Sequence, residues 1–221
     1  MEKVINPRIK ICCISSLKEA GMAIKMGASA LGLVSEMPSG PGVISMEAIK
    51  LIAASVPPPI ATFLLTSKQD VNDIIKQHKY CKTNTIQICD NLTFGSHKDL
   101  KEALPGIAIV QVIHVTGEES IVEALAIQND VDAILLDSGN QSKQIKELGG
   151  TGKTHNWEVS CKIREKLDIP IFLAGGITSD NIAQAINQVN PFGIDLCSGV
   201  RTDDKLDKIK LQKLFSNIKG V

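Results

Sequence analysis

The chain has 221 residues, enough for one large domain or two small ones. Hydrophobic residues make up 43% and charged residues 22%, the balance of a packed globular protein and not of a disordered chain. Lys plus Arg equals Asp plus Glu at 24 each, so a nucleic-acid partner gripped through its phosphates is not expected.

Short apolar runs alternate along the chain with longer amphipathic segments. The first run is Ile9 to Cys13, followed by Leu17, Ala20, Ala23 and Ile24 at helical spacing. Ala30 to Val34 is the second strand, with a helix over Met46 to Ala54. Ala61 to Leu65 is the third, with a helix around Val71 to His78. Thr85 to Cys89 and a short helix over Asp99 to Leu104 make the fourth unit. Ala108 to Val115 and Glu118 to Ile127 make the fifth, and Ala133 to Asp137 and Trp157 to Leu167 the sixth. Ile171 to Gly175 and Asn181 to Val189 follow, then Gly193 to Ser198 and Leu206 to Ile218.

Eight strand–helix units predict an α/β fold, a single (β/α)8 TIM barrel over residues 1–221. Runs that are apolar throughout suit parallel strands covered on both faces. A doubly wound open sheet is the main rival, but Ile11-Cys12-Cys13-Ile14 is unlike the glycine fingerprint that such a sheet places after its first strand. No apolar run approaches the roughly 20 residues of a membrane span. The opening MEKVINPRIK lacks the apolar core of a secretory signal, so a cytoplasmic protein with no membrane partner is expected. The six cysteines are scattered and the four histidines show no ligand spacing, so no metal site is expected.

In such a barrel the chemistry sits at the C-terminal ends of the strands. That rule selects Cys12-Cys13, Cys89-Asp90, Asp137, Gly175-Gly176 and Cys197-Ser198-Gly199. The glycines after strands seven and eight suit a phosphate, which approaches bare backbone N–H groups closely only where side chains are absent. Gly149-Gly150-Thr151-Gly152-Lys153-Thr154 resembles the end of a P-loop, but the pattern needs a glycine where Glu147 stands. It suits a lid or phosphate-edge loop better. Cys12 and Asp137 are the candidate acid–base pair: a thiol accepts a proton as thiolate, and a buried carboxyl is pushed toward the form that donates one. Strand register decides whether Cys12 or Cys13 faces the mouth, since a one-residue slip turns every side chain over.

Taken together these residues resemble the phosphoribosylanthranilate isomerase family. Its opening Lys-Ile-Cys-Gly-Ile stands here as Lys10-Ile11-Cys12-Cys13-Ile14, and its Gly-Ala-x-x-Leu-Gly as Gly27 to Gly32. Leu135-Leu136-Asp137, Gly149 to Thr154 with Trp157, Leu173 to Ile177, Asn181, Pro191 to Asp195 and Ser198-Gly199-Val200 also match, in order. The resemblance implies a ribulose-phosphate-binding type of barrel and an isomerase of tryptophan biosynthesis. Its reaction would be the Amadori rearrangement of N-(5-phosphoribosyl)anthranilate, with no cofactor. Cys12 would be the general base and Asp137 the general acid. The phosphate would sit near Gly152, Gly175, Gly176, Ser198 and Gly199. The protein would act on a small phosphosugar as a monomer or homodimer.

The chain departs from the family on the anthranilate side. The family's arginine after strand two is missing from Ser39-Gly40-Pro41-Gly42-Val43-Ile44-Ser45, and with it a bidentate carboxylate clamp. Gln-Leu-His-Gly after strand four is Gln87-Ile88-Cys89-Asp90, and the glycine after the catalytic cysteine is Cys13. Arg201 replaces a common glutamate. Gln87 and Arg201 are therefore candidate substrate contacts, Arg201 as a replacement for the lost charge. A barrel turning over another phosphorylated sugar, a non-catalytic phosphate binder, and a Schiff-base aldolase remain as alternatives. The last has no lysine at a strand end to serve it.

Overall fold

Eight apolar segments pair in parallel, each with the next in sequence, and the last closes on the first. The computed structural model describes residues 6–139, 148 and 154–218. The closed barrel runs β1 (Arg8–Ile11), β2 (Ala30–Val34), β3 (Ala61–Thr66), β4 (Thr85–Ile88), β5 (Ala108–His114), β6 (Ala133–Asp137), β7 (Ile171–Leu173) and β8 (Gly193–Leu196). Around it lie α1 (Leu17–Met26), α2 (Met46–Ser55), α3 (Val71–Cys81), α4 (His97–Ala103), α5 (Glu119–Ile127), α6 (Trp157–Lys166), α7 (Ile182–Val189) and α8 (Lys208–Ile218). Side-chain caps start several of these helices: Ser16, Ser45, Asp70 and Asn156 each accept a backbone N–H of the first turn, and Ser96 with Asp99 forms a capping box on α4. Among the described residues no helix is long and apolar enough to cross a membrane.

Strand alternation sorts the core into two clusters. Ile9, Ile11, Ile134, Leu136, Ile194 and Leu196 face outward and pack with the helices. Phe63, Leu65, Val110, Val112, Leu135 and Phe172 fill the barrel interior. Phe172 meets Phe63 and Phe192 edge to face, at centroid distances of 5.8 and 5.7 Å.

The strands end earlier than their apolar runs. β1 stops at Ile11 because Cys13 adopts a left-handed backbone, φ 62°. β7 stops at Leu173 because Gly175 and Gly176 turn with φ 82° and 60°. The last helix begins at Lys208, later than Leu206, since Arg201–Thr202 and Lys205–Leu206 pair as a small antiparallel hairpin, β9 and β10.

Candidate active site

Parity along the strands decides which side chains enter the mouth. In β1, Ile9 and Ile11 face outward, so Lys10 and then Cys12 face inward. β6 brings in Ala133, Leu135 and Asp137 by the same rule, and β8 brings in Asp195 and Cys197. Cys13 lies off this parity. Its positive φ bends the chain back over the mouth, so both cysteines line one cleft. Asp137, Gln87, Cys89, Gly175, Gly176, Asp195, Cys197 and Ser198 line it too.

Beneath Cys12 sits an ion pair that the sequence reading passed over. Lys10 is fully buried, and its Nζ donates to Asp195 Oδ2 at 2.7 Å. Closure of the barrel makes the pair, since Lys10 stands opposite Asp195 in the β1–β8 ladder. The ammonium also lies 5.1 Å from the Phe63 ring centre. Burial alone would strip its proton, but the attraction of Asp195 and of Cys12 outweighs burial and holds the ammonium above its ordinary value. Gly32 in β2 makes room for this: a Cβ there would come 2.8 Å from Cys12 Sγ and 3.2 Å from Lys10 Nζ.

These neighbours set the proton affinities of the two candidate catalytic groups in opposite directions. The neighbouring Cys13 thiol pulls Cys12 below the ordinary thiol value, against burial and with the help of Lys10. Burial pushes Asp137 above the ordinary carboxyl value. The Ser138 N–H, 2.7 Å from Asp137 Oδ1, and the charge of His114 only partly offset that burial. One group is thus biased toward the proton-accepting form and the other toward the proton-donating form, as a general base and acid require.

The two glycine loops interlock beside Asp137. A Cβ on Gly175 would lie 3.1 Å from Asp137 Oδ1, so the glycine lets the loop fold over the carboxyl. A Cβ on Gly199 would lie 2.1 Å from the Ile177 carbonyl oxygen, so the loops after β7 and β8 are in backbone contact. Asn181 braces the first of them: its Oδ1 accepts from Thr178 N–H at 2.8 Å and its Nδ2 donates to Gly176 O at 3.0 Å. Ser198 is exposed at the rim, at the start of a single 3-10 turn, Ser198–Val200. Gly152, expected at the phosphate, lies outside the described residues, as does most of the Gly149 to Thr154 segment.

Gln87 reaches the cleft from β4, and its buried Oε1 has no hydrogen-bond partner among the described residues. Asp195 Oδ1 is in the same state. Arg201 corrects the expectation made for it, because it does not line the cleft. Its guanidinium is buried behind the β1 loop, where it donates to both Glu19 oxygens at 3.2 and 3.1 Å and to the Asp204 carbonyl at 2.8 Å. It also donates to the carbonyls of Cys12, at 3.2 Å, and Cys13. Arg201 therefore holds the Cys12-Cys13 backbone in place and is spent as a positive charge. Gln111, also buried, faces outward to His97 at 2.9 Å.

Sequence reasoning missed Lys10, Asp195 and the Arg201–Glu19 pair. A lysine between two isoleucines in an otherwise apolar run was the one visible signal for the first.

Fold and cleft define a class, that of (β/α)8-barrel enzymes with a thiol and a carboxyl at the strand ends beside two glycine loops. Within that class the chain belongs to the N-(5'phosphoribosyl)anthranilate isomerase family, whose model matches residues 9–217. It is 31% identical over 213 residues to the N-(5'-phosphoribosyl)anthranilate isomerase of Methanothrix thermoacetophila, covering 96% of this chain and 98% of that one. It is 32% identical over 212 residues to the enzyme of the same name from Nostoc punctiforme, again covering 96% and 98%. The crystal structure of phosphoribosyl anthranilate isomerase from Thermotoga maritima superposes with a TM-score of 0.81 at 26% identity, covering 97% of this chain and all of that one.

Proposed function

We propose that the protein catalyses the Amadori rearrangement of N-(5-phosphoribosyl)anthranilate to the 1-deoxyribulose isomer, with Cys12 as general base and Asp137 as general acid. The observation that carries the reading is the opposed bias of these two groups within one cleft, in a chain of this family. Protonated Asp137 gives its proton to the furanose ring oxygen. The C1–O bond breaks as the nitrogen lone pair forms a C1=N iminium. The Cys12 thiolate then takes the C2 proton, and the C–H electrons form the C1=C2 enolamine while neutralising the nitrogen. Tautomerisation with protonation at C1 yields the ketone. The iminium is the electron sink, so the scheme calls for no cofactor.

The phosphate is assigned to the backbone N–H groups around Gly175, Gly176, Ser198 and Gly199, with Gly152 at their edge. Gln87 is assigned to the substrate through its unpartnered Oε1. The enzyme is expected to work in the cytoplasm, as a monomer or homodimer.

The interlocked loops give a first prediction. Gly199→Ala forces a methyl group against the Ile177 carbonyl. Overpacking of this kind costs about 1–3 kcal/mol of stability. With the phosphate loops pushed apart, KM is expected to rise more than kcat falls. Thermal unfolding and steady-state kinetics read the two effects.

One observation favours a second reading, that the barrel isomerises a phosphosugar with a different substituent on nitrogen. The loop after β2 meets the cleft with Ser39, Gly40 and Pro41 in place of the family's arginine, and Arg201 is engaged elsewhere. Phosphoribosylanthranilate generated in situ decides between the readings. Loss of its fluorescence on adding the purified protein supports the first. Unchanged fluorescence, with a phosphosugar still binding by titration calorimetry, supports the second.

A further inference from the structure

Two thiols that the proposed mechanism does not require as proton carriers meet at the mouth of the cleft. Cys13 Sγ lies 2.8 Å from Cys197 Sγ, less than an ångström beyond the ~2.05 Å of a sulfur–sulfur bond. The contact joins the loops after β1 and β8, neighbours in the closed ladder that are 184 positions apart in sequence. Its geometry comes from the backbone. Cys13 holds φ 62°, a conformation uncommon in a residue with a side chain, and this turns its sulfur toward β8. Gly42 packs flat against it: a Cβ at Gly42 would come 2.4 Å from Cys13 Cβ. Arg201 clamps the Cys12 and Cys13 carbonyls from behind. Cys13 is buried, whereas Cys197 is partly exposed and lines the cleft, so a small reagent can enter.

We propose that Cys13 and Cys197 form a thiol–disulfide site that closes reversibly on reaction with a low-molecular-weight disulfide and stops turnover when closed. The Cys197 thiolate attacks one sulfur of the reagent, whose S–S bond breaks and whose other sulfur leaves as a thiol after taking a proton. Cys13 then loses its proton and attacks the Cys197 sulfur of the mixed disulfide, expelling the second reagent thiol. Two protein thiols are oxidised and one reagent disulfide is reduced. The new bond ties the base-bearing loop of β1 to the Ser198–Gly199 loop. It also takes away the Cys13 thiol that lowers the proton affinity of Cys12.

The test treats the whole protein with oxidised glutathione, blocks remaining thiols with iodoacetamide and maps tryptic peptides. The expected product joins residues 11–18, which carry Cys12 and Cys13, to residues 167–201, which carry Cys197. The link should persist in Cys12→Ser and vanish in Cys13→Ser. Wild-type turnover should fall at least tenfold and return with dithiothreitol. Cys197→Ser, whatever its own basal rate, should show the same turnover after treatment as before it. A stable mixed disulfide with glutathione, a link through Cys12, or equal inactivation of Cys197→Ser would each overturn the proposal. The peptide map needs no turnover, so failure of the isomerase assignment leaves this test standing.

Discussion

Asp137→Asn is expected to lower kcat by about 10²–10⁴-fold, the usual contribution of a positioned general acid. The substitution keeps the shape of the side chain and its contact with the Ser138 N–H, but removes the proton that opens the ribose ring. KM should change little, because the phosphate loops and the opposite wall are untouched. The pH profile gives a sharper reading. A general base works deprotonated and a general acid works protonated. Cys12 is held below the ordinary thiol value, by the neighbouring Cys13 thiol first and Lys10 next, so the rising limb of kcat/KM should lie below the ~8.5 of a free thiol. Burial raises Asp137, so the falling limb should lie above the ordinary carboxyl range. The limbs belong to the pair as a unit. In Asp137→Asn the falling limb should be gone from what activity remains.

Lys10→Met carries the largest expected effect on stability. It strands Asp195 inside the barrel, and breaking a buried pair by removing one partner costs about 3–5 kcal/mol. Denaturant midpoints measure this. Replacing both partners, as Lys10→Met with Asp195→Leu, should recover most of the loss, because the buried charge is then gone. The catalytic effect follows charge instead. Without the ammonium the Cys12 thiol moves up, and the rising limb of the pH profile moves up with it in the single variant; in the double variant it moves up less, because the Asp195 charge that raises Cys12 is gone as well. A limb that moves up in Lys10→Met and only part of the way in the double variant marks an electrostatic role of Lys10 toward Cys12; an unmoved limb in both marks a purely structural one.

The order of the eight units was legible because parallel strands covered on both faces must be apolar along their whole length. Ala133–Asp137 and Ala30–Val34 read correctly to the residue. Strand ends were less legible. Ile9 to Cys13 looks like one continuous strand, and only the left-handed turn at Cys13 stops it at Ile11. The β9–β10 hairpin was invisible, since two-residue strands are too short for any period to show.

The site divides in the same way. Cys12, Asp137 and the glycines stand at strand ends, where a positional rule finds them. Lys10 stands inside the first apolar run with no partner visible in sequence until the barrel closes and sets it opposite Asp195, 185 positions away. Arg201 misled for a related reason. Sequence shows a positive charge beside the phosphate loop, but its direction depends on Glu19, on a helix at the other end of the chain.

Single-turnover conversion of phosphoribosylanthranilate, with protein in excess, tests the central claim most directly, because product release cannot then mask the chemical step. Wild-type protein should convert the substrate in one rapid phase. Cys12→Ser, which keeps a side chain of similar shape but loses the thiolate, should be slower by about 10²-fold or more. Equal rates for the two proteins would contradict the assignment of Cys12 as the base.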